Sequence, residues 1–262
     1  YPLRSYSLYG RRGMGVVMYA VIVGGGASGV AIQHACEAEG IQARQVSRST
    51  GFDVTADSLP QLEADVVIEA TNIVATGRKP CIEFFERSAR SVAHAAAQAG
   101  ARHILLSIVN TDRPEVQGYG YFAGKKAQEE TARRFSPSLT IVRTTQWFEF
   151  GAQVLQRNRL GPLGLVPGMR IKPIALEAAA RVVAETASGK RAGDLVEISG
   201  PEEMTLWELV RRSPKPGGIL PVPVFLPTSF GRAFRRGALL PENGVEGAGP
   251  RLEDWLNRAV PS

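Results

Sequence analysis

Residues 19–23 read YAVIV, an unbroken apolar run that stops at three glycines, and an amphipathic stretch begins directly behind them. The pattern predicts strand, tight turn and helix, and the β-branched run is that of a central parallel strand covered on both faces. Similar patterns recur. Ile41–Val46 predicts a second strand, Phe52–Thr55 a minimal third, Asp65–Ala70 a fourth, His103–Val109 a fifth and Leu139–Arg143 a sixth. Between them, Ile82, Phe85, Ala89, Val92, Ala93 and Ala96 make one helical stripe over 80–98, closed by Gly100. A helix follows from Tyr121, another spans Ile174–Ala187, a short strand falls at Leu195–Ile198, and a last helix runs over Thr205–Arg212 with Thr205 as N-cap.

The turn after the first strand spells Gly24-Gly25-Gly26-Ala27-Ser28-Gly29, a G-x-G-x-x-G pattern. Gly24 makes the sharp turn, Gly26 lets backbone approach a diphosphate, and Gly29 allows close helix packing; the amides at the helix head hold the anion. An arginine pair, Arg11-Arg12, ahead of apolar residues 14–23 imitates a secretory signal, but the strand and helix order downstream is what the glycine pattern requires. Strand and helix alternation with this turn predicts an α/β fold: a doubly wound parallel Rossmann sheet with a small C-terminal substrate region. We expect residues 1–17 to be a leader, disordered or non-native, with Met18 as a start. Residues 18–155 should form the NAD(P)-binding core and 156–262 the substrate side.

At the end of the second strand, where an NAD-preferring fold places an acid against the ribose 2′-hydroxyl, residues 40–52 contain no Asp or Glu. Arg48, flanked by Ser47 and Ser49, suits a 2′-phosphate instead, so NADP(H) is expected in preference to NAD(H). Asp53 and Val54 should lie near the adenine. Ala70, Thr71 and Asn72, at a later strand end, should face the cofactor.

Composition narrows the class. With 44% hydrophobic residues in 262, the chain can bury a full core, and no apolar run approaches the roughly 20 residues of a membrane span. The net charge of +6 comes largely from Arg4, Arg11 and Arg12 and from Arg211, Arg212, Lys215, Arg232, Arg235 and Arg236, stretches without an acid. We read the second stretch as a solvated face rather than an anion or partner site, and expect no nucleic-acid partner. Cys36 and Cys81 lack metal-ligand spacing and read as reduced core residues of a cytoplasmic protein; no metal is expected.

Ser107 lies near the end of the fifth strand, and Tyr121 and Lys125 are four apart at the start of the next helix, sharing a face. A phenol with an ordinary pKa near 10 needs an adjacent ammonium to work as an acid-base group at neutral pH. Lysine also suits the nicotinamide ribose, and a serine hydroxyl polarises a carbonyl that receives hydride.

With VIVGGGASG, VSRST, ATN, LLSIVNTD, YFAGKKAQEE, LTIVRTTQWFEF, KPIAL and ISGPEEMTLWELV on the page, the chain resembles an atypical short-chain dehydrogenase/reductase of the NmrA-like, NAD(P)H-binding group over residues 18–212, more faintly at LEDWL. The resemblance implies a Rossmann protein binding NADP(H) through the glycine turn and Arg48. It implies Tyr121 as acid-base, Lys125 as its ribose-binding partner and Ser107 as the substrate-orienting hydroxyl. Some members of the group lack the Tyr-Lys pair and act as redox-sensing regulators, so an enzyme and a non-catalytic NADP(H) sensor both remain open. The group's usual G-x-x-G-x-x-G turn is shortened here, with Ala27 and Val30 at glycine positions.

On the substrate side, Thr144 and Thr145 end the sixth strand and should meet the nicotinamide amide, while Trp147, Phe148 and Phe150 either wall an apolar pocket or belong to the core. Residues 156–172 predict a loop. Seven prolines and seven glycines over 213–250 predict an extended loop or lid. The expected activity is hydride transfer to a small carbonyl or quinone-type molecule, by a monomer or weak homodimer.

Overall fold

The computed structural model describes residues 17–56, 60–73, 75 and 77–259; the leader expected over 1–17 lies outside them apart from Val17. In chain order the elements are β1 (Tyr19–Val23), α1 (Ala27–Ala38), β2 (Gln42–Val46), β3 (Val66–Glu69), α2 (Arg78–Ala99), β4 (Arg102–Ile108), α3 (Gly120–Phe135), β5 (Leu139–Thr144) and α4 (Phe150–Arg157). The chain continues through β6 (Arg159–Leu160), β7 (Leu163–Pro167), β8 (Arg170–Ile171), α5 (Leu176–Ala187), β9 (Leu195–Ser199), β10 (Met204–Thr205) and α6 (Leu206–Arg212). It closes with β11 (Leu220–Val224), α7 (Ser229–Arg235), β12 (Glu246–Gly247) and α8 (Leu252–Ala259).

Seven parallel strands form the main sheet in the order β12-β9-β5-β4-β3-β1-β2. The chain leaves β1 for β2 on one side and returns to β3 on the other, so the strand order reverses at β1, the point beyond whose carboxyl end open α/β sheets bind their ligands. One face of the sheet, with Ala20, Ile22, Ile68, Ile104 and Val142, packs against α1 and α5. Val21, Val67, Leu105 and Ile141 face α2 and α3. The doubly wound Rossmann architecture is therefore present, and burial on both faces explains the unbroken apolar strands.

Three expected features differ. Phe52–Thr55 is no strand, because the Asp53 carboxylate accepts from the Thr55 amide at 2.9 Å and its hydroxyl at 2.7 Å, closing a local turn. Val54 turns into the core beside Phe52 and Val46. Residues 156–172 are not a plain loop: β6 and β7 form a hairpin there, and β8 pairs with β10. The segment 213–250 carries β11, which pairs parallel with β7, and helix α7. Leu220 donates its amide to Pro162 at 2.9 Å, so Pro221 and Pro223 alternate onto the outward side of this edge strand, where no N–H is needed.

Candidate functional site

The glycine turn lies at the reversal point of the strand order. Gly24 has φ +146°, and a Cβ there would stand 2.6 Å from the Ala70 carbonyl oxygen, so the turn lies directly on the end of β3. At Gly29 a Cβ would collide with the Gly24 carbonyl oxygen. Gly26 is the N-cap of α1 without a side-chain cap, and a Cβ on it would meet nothing within 4 Å. The open turn and uncapped helix head fit an anionic ligand. Ala27 is exposed and Ser28 partly exposed at the same place.

Gly25 sits against the Ser47 side chain, 3.1 Å from where its Cβ would be, which brings the glycine turn and the end of β2 together. Arg48–Thr50 forms a 3-10 turn capped by Ser47, whose hydroxyl lies 2.8 Å from that of Ser49. Arg48 is exposed at the head of this turn, its charge helping hold the Asp53 carboxyl below its ordinary value behind the Thr55 hydrogen bonds. Helix-head amides, two hydroxyls and a guanidinium thus lie along one edge.

Beyond Ala70, Thr71 points inward and Asn72 is exposed, its side-chain oxygen accepting from the Ile73 amide at 2.8 Å. Thr71 belongs to a buried polar cluster. Glu69 Oε1 accepts from Ser88 at 2.7 Å, Thr71 at 2.9 Å and Gln128 Nε2 at 2.6 Å, and Glu69 Oε2 lies 3.3 Å from His103 Nε2. Burial works to raise this carboxyl, but His103, Ser88 and the Lys125 ammonium outweigh it and hold it below its ordinary value. The sequence signal for Glu69 was a single acid inside the apolar run VVIEA; for Gln128, a polar side chain three residues after Lys125 on the same helix face.

Tyr121 and Lys125 occupy the first turns of α3, where Gly124 allows α2 to approach closely: a Cβ there would lie 2.9 Å from the Cys81 carbonyl oxygen. Lys125 is 3% exposed and donates to the Leu106 carbonyl oxygen at 2.8 Å and to Gln128 Oε1, with the Phe85 ring 5.1 Å away. Burial pulls its pKa down to about 8 against the charges of Glu69 and Glu129. The Tyr121 ring stands edge-on to Phe85 at 5.7 Å and Phe122 at 6.2 Å, and burial pushes its phenol up to about 12, the Arg157 charge opposing. The expected pairing, with the ammonium lowering the phenol, is corrected: the ammonium turns toward Leu106 and Gln128, and desolvation governs the tyrosine.

Ser107 also departs from expectation. Its side chain is on the α3 face of β4 and donates to Glu129 Oε1 at 2.6 Å, while Arg143 binds Glu129 through Nε at 2.9 Å and Nη2 at 2.7 Å. Thr144 accepts from Trp147 Nε1 at 3.2 Å, and Thr145 donates to Lys172 O at 2.6 Å and accepts from the Gly200 amide at 3.3 Å, so both hydroxyls serve the fold. Phe148 is fully buried against Trp255 at 5.2 Å between ring centroids, a core residue rather than a pocket wall. Tyr119 instead meets Phe122, Phe230 and Phe234, which bring α7 over the start of α3. Among the described residues no cluster of three or more potential ligands suits a metal, and no helix is long and apolar enough to cross a membrane.

No protein-family model matches the chain, and no curated protein matches it. Solved structures do. The dTDP-4-dehydrorhamnose reductase from Bacillus anthracis in complex with NADP is 15% identical, with a TM-score of 0.65 over 93% of this chain and 98% of that one. A short-chain dehydrogenase/reductase superfamily protein from Agrobacterium tumefaciens with bound NAD is 15% identical at TM-score 0.61, over 92% and 95%. The NADPH-dependent quinone oxidoreductase from Escherichia coli, complexed with NADPH, is 15% identical at TM-score 0.60, over 92% and 99%. The chain shares the fold of these NAD(P)-binding proteins along nearly its whole length.

Proposed function

We propose that the chain is an atypical short-chain dehydrogenase/reductase, an NADP(H)-dependent reductase of a small carbonyl or quinone-type acceptor. The observation that supports this reading is the contact between the open glycine turn and the Ser47-Arg48-Ser49 turn, which brings helix-head amides, two hydroxyls and a guanidinium to one edge. The Gly24–Gly29 turn would hold the diphosphate, Arg48 with Ser47 and Ser49 the 2′-phosphate, and Lys125 the nicotinamide ribose. The bound nucleotide supplies hydride. Tyr121, half-buried at the head of α3 with its phenol protonated throughout the neutral range, would supply the proton that the reduced acceptor takes up. Ser107 is read here as support for Glu129 and Arg143.

The test is NADPH oxidation across a panel of aldehydes and quinones by the native protein and by Tyr121→Phe. Loss of a positioned acid should lower kcat by about 10²- to 10⁴-fold. Turnover unchanged by the substitution would remove the tyrosine from the chemistry. A second reading, a non-catalytic NADP(H) sensor, is favoured by the engagement of Ser107 with Glu129 and by an ammonium turned away from the phenol. Tight NADPH binding without turnover on any acceptor would select it.

A further inference from the structure

Glu69 is 0% exposed at the end of a central strand, where an α/β sheet ordinarily carries aliphatic residues. Burying a carboxylate among partners is costly, and apolar replacements of such clusters are often neutral or stabilising, so folding stability alone does not account for it. Its position does. The next residue, Ala70, supports the glycine turn, and Thr71 belongs to the same hydrogen-bonded cluster, so the carboxylate lies immediately beneath the ligand edge. Gln128 then bridges Glu69 to Lys125, donating to the carboxylate at 2.6 Å and to Thr71 at 3.0 Å while accepting from the ammonium. Of the three N–H groups of the ammonium, two are taken by Leu106 O and Gln128, and the Phe85 ring lies 5.1 Å away.

We infer that Glu69 is a positioning residue for cofactor binding: through Gln128 it holds the Lys125 ammonium, charged and aimed, beneath the nicotinamide ribose. The inference rests on the reading of Lys125 given above. The groups that face this ammonium are Glu69 from β3, with His103 from β4 behind it, Phe85 from α2, and Gln128 and Glu129 from α3 itself, Glu129 being paired with Arg143 of β5. Of the two carboxylates acting on Lys125, Glu69 is the one joined to it through a hydrogen-bonded side chain.

Calorimetric titrations from pH 6 to 10 with NADPH and with 2′,5′-ADP, which keeps the 2′-phosphate but has no second ribose, separate the possibilities. For the native protein NADPH affinity should fall about tenfold as pH rises through about 8, the value of Lys125, while 2′,5′-ADP shows no such break. Removing the negative charge in Glu69→Gln should move the break to lower pH and weaken NADPH several-fold at pH 7.5, leaving 2′,5′-ADP unchanged. Gln128→Met, which cuts the bridge and keeps the carboxylate, should act in the same direction. A break that stays at the native pH in both variants, or an equal loss for both ligands, overturns the positioning role. Failure of the native protein to bind either ligand overturns the cofactor reading and this inference with it.

Discussion

Gly29 has no room for a methyl group, since its Cβ would strike the carbonyl oxygen of Gly24. Gly29→Ala should therefore cost about 1–3 kcal/mol and weaken NADPH binding, read as a lower Tm and a higher Kd. Gly26→Ala, with nothing within 4 Å, should fold normally and lose affinity alone. Both cysteines are 0% exposed, and burial, with Glu37 and Glu39 nearby, pushes the Cys36 thiol up to about 12. Native protein at pH 8 should therefore leave both unmodified by a disulfide reagent that titrates two thiols after unfolding. The sign is that of an acid whose pKa rises on folding: stability from Cys36 is complete below about pH 9 and is lost toward 12. At this scale the glycine turn was legible because backbone constraints leave local marks. Ser107, Glu69 and Gln128 were not, because which face of β4 a hydroxyl takes, and what meets it across a helix, depend on packing between distant segments.

Helix α6 begins in a reciprocal cap: Thr205 accepts from the Glu208 amide at 3.1 Å, and Glu208 accepts from the Thr205 amide at 2.7 Å. Thr205→Ala should cost about 1 kcal/mol, a Tm loss of about 2–4 °C in thermal unfolding. Phe148 ties the turn after β5 to α8 through Trp255, and Phe148→Ala should cost about 3–5 kcal/mol by opening a cavity. Helices α2, α5 and α6 were readable to within two residues, since an apolar stripe survives any tertiary setting. The irregular parts misled in both directions. Asp53 captured Thr55 and removed a strand, while a run dense in proline hid β11, whose prolines fall on the side that needs no donor.

For the whole molecule, the cofactor reading makes stability a function of nucleotide. NADPH at about 100 times its Kd should add about 2.7 kcal/mol, raising Tm by roughly 5–10 °C, and NADH should add less. The basic stretch at 211–236 is partly structural, since the Arg235 guanidinium stacks on Phe225 at 3.9 Å and donates to Leu226 O at 3.2 Å. The doubly wound parallel sheet followed from the alternation of elements. The attachment of the 213–250 segment could not, because contacts between segments far apart in the chain make it.

One such contact is Asn110, the sole non-glycine residue with positive φ among those described, at +61°. Its amide donates to Ala238 O at 3.1 Å and Leu240 O at 2.6 Å across more than a hundred residues of chain. Glycine at this position would relax the backbone while undoing the latch. Asn110→Gly should then expose the stretch around 236–244 to trypsin, which would cleave after Arg235 or Arg236 and leave a long N-terminal fragment resistant to further digestion.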